Sequence, residues 1–152
     1  MTTPNVAAFL STLRHSEGSD RAADPYRVVY GFEVTLKSLA DHPAVTGEWP
    51  GVQTHWGHTS AAGAYQIEKA TWLRCKQVLA LSDFTGPCQD DAAILLIKEA
   101  GAFALINSGQ VGAAITKCSG IWASLPGSEA GQPTRTFAQL LQTYSSAGGT
   151  YV

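Results

Sequence analysis

The chain has 152 residues, is 45% hydrophobic and 14% charged, and carries a net charge of −2. That length suits one domain with a sizeable core, and the absence of any basic run excludes a nucleic-acid or anionic-membrane binder by charge. No stretch approaches the roughly 20 apolar residues of a membrane span. The opening "MTTPNVAAFLSTLRHSEG" lacks the basic start and long apolar segment of a signal peptide, so no export signal is expected in the chain itself.

In chain order, Pro4 and Asn5 open a first helix in which Val6, Phe9, Leu10 and Leu13 recur at helical spacing. Gly18 ends it. "PYRVVYGFEVTL", residues 25–36, alternates and is rich in Val and Tyr, which predicts a strand or small hairpin bent near Gly31. Residues 41–64 concentrate turn formers (Pro43, Gly47, Pro50, Gly51, Gly57, Gly63) and read as a long functional loop region. A helix is predicted over 67–80. "PCQDDAAILLIKEAGA" predicts a buried central helix with Asp90 and Asp91 in its first turn. Shorter helices are predicted over 101–107 and 110–123, and a last one from Pro133 to about Ser146. The tail "AGGTYV" reads as frayed. The fold class is therefore α+β, mostly helical with one small sheet near the N-terminus.

Three cysteines are present. Cys118 lies on an apolar helical face and reads as a small core residue. Cys75 and Cys88 flank a helix–loop segment and either pair in an oxidising compartment or remain two thiols.

Glu17 is the first residue that suggests chemistry. A helix C-terminus disfavours an anion, and a carboxyl held in apolar surroundings keeps its proton near neutral pH, as a general acid requires. The alternative is a surface glutamate tied to Arg14 or Arg21. "SAAGAYQI", residues 60–67, offers a glycine for close backbone approach, the ring of Tyr65 for a sugar face and the amide of Gln66; it reads equally as a helix entry with a packed tyrosine. His55 and His58 could join Asp41 or His42 around zinc, although Gly57 speaks against the helix that such spacing needs. Trp72 and Trp122 fit helical cores, which leaves Trp49 and Trp56, in the long loop, as candidates for stacking on sugars.

The stretches "SEGSD" (16–20), "Y..V..G.E" from Tyr26 to Glu33, "DHP" (41–43), "GAYQ" (63–66), "QD.A" (89–92), "IK..GA" (97–102) and "CSGIWASLPG" (118–127) together resemble the lambda phage endolysin family of lysozyme-like lytic transglycosylases. They run in the family's order over most of the chain, and the last is long and specific. The resemblance implies a single lysozyme-like catalytic domain over 1–152, with a helical lobe and a small β lobe flanking a substrate cleft. It implies Glu17 as the catalytic acid and Ser60, Tyr65, Gln66 and Gln132 as substrate-binding residues. The implied activity is cleavage of the MurNAc–GlcNAc bond of peptidoglycan with a 1,6-anhydro product. A hydrolysing muramidase is the alternative, and a zinc wall peptidase using His55, His58 and Asp41 a more distant one. No cofactor or metal is implied. The partners implied are glycan strands, with a holin needed for membrane passage and a monomer acting on periplasmic peptidoglycan after synthesis in the host cytoplasm. The chain departs from the family at "SEAGQ" (128–132), where Ala130 replaces a tyrosine, and over 44–59, whose aromatics are candidates to replace what is lost.

Overall fold

The structure, a computed structural model, describes residues 2–128 and 135–152. The chain forms two compact units, one from Met1–Gly18 together with Ile94–Val152 and one from Ser19–Ala93.

The first unit is built around helix α1, Pro4–Glu17. Thr3 caps it by accepting the Val6 N–H, and Pro4 occupies the first turn, where a missing N–H costs nothing. The apolar stripe foreseen in the sequence buries Val6, Phe9, Leu10 and Leu13. They pack against α5 (Phe103–Asn107) and α7 (Phe137–Ser146). Burying each such side chain contributes about 1.5–3 kcal/mol. Helix α6, Val111–Cys118, contributes Val111, Ala114, Ile115 and Cys118 to the same core. Gly18 adopts φ +82° and its N–H closes on the His15 carbonyl, so α1 stops immediately after Glu17.

Helix α7 begins later than the sequence predicts. Its cap is Thr136, which forms a reciprocal box with Gln139; Pro133, the predicted opening, lies outside the described residues. The tail is pinned rather than frayed. The Thr150 N–H donates to Asn5 Oδ1 at 2.9 Å, the Val152 N–H to the Gly109 carbonyl at 3.1 Å, and the Tyr144 hydroxyl to the Thr150 carbonyl at 3.3 Å.

In the second unit the predicted hairpin over 25–36 resolves into a short turn at Pro25–Arg27 and a single bridge, Val28 to Thr35. The ladder lies further on, inside the expected loop. β1 (Val52–Thr54) pairs antiparallel with β2 (Gly57–Thr59), Gln53 opposite His58. A one-turn helix α2, Pro43–Thr46, precedes it. Gly51 is required where this hairpin closes, because a Cβ would sit 2.5 Å from the Thr59 carbonyl oxygen. Helix α3, Lys69–Leu79, buries Trp72 and Cys75. Trp72 stands edge-on to Phe84 with centroids 4.8 Å apart, and its indole N–H donates to Asp41 Oδ1 at 2.9 Å. Lys76 donates to the other oxygen of Asp41.

Helix α4, Gly86–Glu99, begins in the second unit and ends in the first. Because it starts at Gly86, Asp90 and Asp91 fall beyond the first turn, a correction to the sequence reading. Asp90 instead accepts hydroxyl hydrogen bonds from Tyr26 (3.0 Å) and Tyr65 (2.6 Å). All three cysteines are free thiols, so the Cys75–Cys88 pairing is not formed. Among the described residues no helix is long and apolar enough to cross a membrane.

Candidate active site

Glu17 is the last residue of α1, half-buried in the first unit. Burial raises its carboxyl from the ordinary 4.5 to about 7, opposed by one hydrogen bond from the Ser124 hydroxyl. That bond spans 3.1 Å, and Ser124 is in turn 2.7 Å from the Ser16 hydroxyl. With Ser124 donating to the carboxylate, Ser16 donates to Ser124, so two hydroxyls in series hold one carboxyl oxygen. Among the described residues no cation lies near enough to shift Glu17, unlike a surface glutamate tied to arginine. The arrangement leaves a carboxyl that is largely protonated just below neutrality and can release and regain a proton there. Ser124 was not foreseen, although it lies within "CSGIWASLPG"; nothing local links residues so far apart in sequence.

The second group of predicted residues belongs to the second unit. Gln66 follows the turn at Gly63 and adopts φ +49°, a left-handed conformation unusual for a residue with a side chain. Its side-chain N–H donates to the Gly63 carbonyl at 3.0 Å. Strain of this kind at a half-exposed polar residue marks functional segments. The segment is held from below by Gln89, whose buried amide accepts the Ala64 N–H and donates to the carbonyls of Phe84 and Tyr26. Gly63 is obligatory here: at φ +78° a Cβ would collide with the Gln89 amide oxygen.

Tyr65 differs from its sequence reading. Its ring is fully buried, so it presents no face to a sugar, and its hydroxyl donates to Asp90. Ser60 is also buried; its hydroxyl donates to Glu68 at 2.7 Å and accepts the Lys69 N–H. Both residues fix the backbone around Gln66. Gln132 lies outside the described residues.

Among the described residues no group of three or more His, Cys, Asp or Glu is placed to hold a metal ion. Asp41, the third ligand of the zinc alternative, is engaged by Lys76, Trp72 and the His42 N–H, which together hold its carboxyl below the ordinary range against the opposing effect of burial. His55 stands in the turn between β1 and β2, edge-on to Trp56.

This is an α+β protein of the lysozyme-like class. The lysozyme of bacteriophage lambda, solved in complex with a chitohexasaccharide, superposes with a TM-score of 0.90 at 33% identity, over 100% of this chain and 99% of that one. A second structure of the lysozyme from bacteriophage lambda gives 0.85 at 32% over the same shares. In sequence, the endolysin of Escherichia phage P2 is 37% identical over 95% of this chain and 93% of its own length. The endolysin of Escherichia phage lambda is 37% identical over 94% and 90%. The Endolysin family profile matches residues 7–151, and the chain belongs to that family.

Proposed function

We propose that residues 1–152 act as one catalytic domain that cleaves the MurNAc–GlcNAc bond of peptidoglycan as a lytic transglycosylase. The observation that carries the reading is Glu17: a carboxyl raised to about 7 with a single hydroxyl partner. In the protonated form it donates to the glycosidic oxygen as the C1–O bond breaks. As a carboxylate it then takes the proton from the C6 hydroxyl of the same muramic residue, whose oxygen attacks C1. The C1–O6 bond replaces the bond lost, Glu17 ends protonated, and no water is consumed. Tethering the nucleophile to its target supplies the entropic advantage that a bound water lacks.

A hydrolase of the two-carboxylate kind needs a partner for Glu17. Among the described residues six carboxylates are committed elsewhere. Asp24 pairs with Arg27, Asp41 with Lys76, and Asp90 with two tyrosines. Glu48 accepts the Lys37 and Ser38 N–H groups, Glu68 holds Ser60 and Thr59, and Asp83 holds Thr85. In the first unit the other described carboxylate is Glu99, exposed at the end of α4. Glu33, which makes no hydrogen bond among the described residues, is the exception; the proposed scheme assigns both proton transfers to Glu17. Gln66 contacts the glycan in this scheme, Ser60 and Tyr65 position it, and Gln132 adds a contact inferred from the family. No cofactor is required. The enzyme works as a monomer, waits in the host cytoplasm, and reaches periplasmic peptidoglycan when a holin breaches the membrane.

Digestion of purified peptidoglycan in ¹⁸O-water, read by mass spectrometry, tests the chemistry. Unlabelled 1,6-anhydro muropeptides are expected; labelled reducing ends without anhydro products would mean a hydrolase.

A further inference from the structure

The second unit holds a cavity of about 310 Å³, whose walls include Tyr30, Glu33, Trp49, Gln53, His55 and Trp56. It lies between the turn at residues 29–34 and the β1–β2 hairpin, and its shape is fixed from both sides. The Glu48 carboxylate accepts the N–H groups of Lys37 and Ser38 at 2.6 and 3.0 Å, so the residue before Trp49 is fastened to the segment beyond Val34. The close crossing at Gly51 fixes the base of the hairpin. On the opposite wall the turn is strained: Phe32 has φ +60°, a rare conformation for a bulky side chain.

The lining combines flat aromatic surface with uncommitted polar groups. Trp56 is 56% exposed and Tyr30 36%, large values for such side chains. Trp56 is nonetheless propped edge-on by the His55 ring at 5.5 Å. Among the described residues, the Glu33 carboxylate, the Gln53 amide and the indole N–H groups of Trp49 and Trp56 make no hydrogen bond. The neighbouring carboxylates Glu48 and Glu68 are both tied down. Ring faces beside free donors and acceptors match a pyranose, which carries an apolar C–H face and an equatorial rim of hydroxyl and amide groups. A volume at the lower end of ligand pockets suits one ring rather than a larger ligand.

We propose that this cavity binds one N-acetylhexosamine ring of a glycan strand, stacked on Trp56 or Trp49, with Gln53 and Glu33 on its polar rim. The proposal rests on the glycan-cleaving function above and adds to it a binding subsite made by side chains of the 44–59 segment.

The test uses the Glu17→Gln protein, chitohexaose as probe and the indole N–H signals of the four tryptophans in ¹H–¹⁵N spectra. On titration the signals of Trp49 and Trp56 should shift, while that of the buried Trp72 stays. Trp56→Ala should weaken chitohexaose binding about tenfold. In the Glu17 background it should raise KM on purified glycan strands with kcat retained. Gln53→Ala, a smaller change on an exposed strand, should act in the same direction. Stationary Trp49 and Trp56 signals at saturation, wild-type affinity of Trp56→Ala, or no chitohexaose binding at all would overturn the subsite. Loss of lysis in Glu17→Gln is scored separately, so failure of the subsite is distinguishable from failure of the catalytic reading.

Discussion

Replacing Glu17 with glutamine removes a titrating group while keeping a side chain that can still accept from Ser124. In the folded protein the carboxyl titrates at about 7, against 4.5 when solvated, because burial disfavours its charged form. Below pH 4.5 it is protonated whether the chain is folded or not, and it costs nothing. Between pH 4.5 and 7 the folded state keeps a proton that the unfolded state has released, so stability falls as pH rises. Above 7 the whole cost of a buried charge is present, about 2–3 kcal/mol after allowing for partial exposure. Glu17→Gln escapes that cost. It should unfold at the same temperature as the wild type at pH 4 and about 5–10 °C higher at pH 8. Lytic activity should fall on the order of 10²–10⁴-fold, since the amide has no proton to give. Thermal unfolding followed by circular dichroism at the two pH values, with wall-clearing assays beside it, measures both effects. An equal shift at both pH values, or a less stable variant at pH 8, would refute the assignment of a burial-raised carboxyl.

Three other outcomes follow from the geometry. Ser124→Ala removes the hydrogen bond that opposes burial at Glu17, so the alkaline limb of the pH–activity profile should move to higher pH; an unmoved limb would disconnect Ser124 from the carboxyl. Gly63→Ala forces a Cβ into the buried Gln89 amide at a positive φ and should cost roughly 2–4 kcal/mol in urea unfolding, with a loss below about 0.5 kcal/mol contradicting the packing. Cys75 and Cys118 are buried and Cys88 is partly exposed, with burial pushing the Cys118 thiol up to about 12. A thiol reagent should therefore label Cys88 first in the native protein and all three after denaturation, and intact mass should not change on reduction.

The helices were legible because their determinants are local. Pro4 and Gly18 bracket α1 with an apolar stripe between them, and the same signals located α3 and α4 to within a few residues. The hairpin was not legible. Its strands are three residues each and fully bury none of their side chains, so no apolar alternation marks them. What holds them is the crossing at Gly51 and the fixing of Thr59 and Ser60 by Glu68, neither of which has a sequence period. Of the strand or small hairpin read at 25–36, the bend at Gly31 and one antiparallel bridge, Val28 to Thr35, are present, but no ladder forms, because Val28 and Val29 are buried singly, through isolated bridges. At the site, the position of Glu17 at a helix end and the raised carboxyl that burial would give it were readable, whereas the burial itself and the Ser124 hydroxyl depend on the fold. Tyr65 was read as a surface ring because an aromatic beside a glycine turn gives no sign of the Asp90 carboxylate beneath it.

The first unit is assembled from the two ends of the chain, with Ser19–Ala93 as one uninterrupted insertion between them. This imposes an order of events on synthesis. Nearly all of the insertion has been made once residue 93 has emerged, although α4, which begins at Gly86, runs on to Glu99 in the first unit. Helix α1 is made first yet must wait for partners that are made last: Ser124 follows Glu17 by 107 residues, about 5–20 s at ordinary translation rates. During that interval the hydroxyl that hydrogen-bonds Glu17 in the folded chain has not yet been made. The carboxyl reaches about 7 only in the folded unit, where it is buried. The raised carboxyl of Glu17 thus belongs to the folded unit and not to α1 alone.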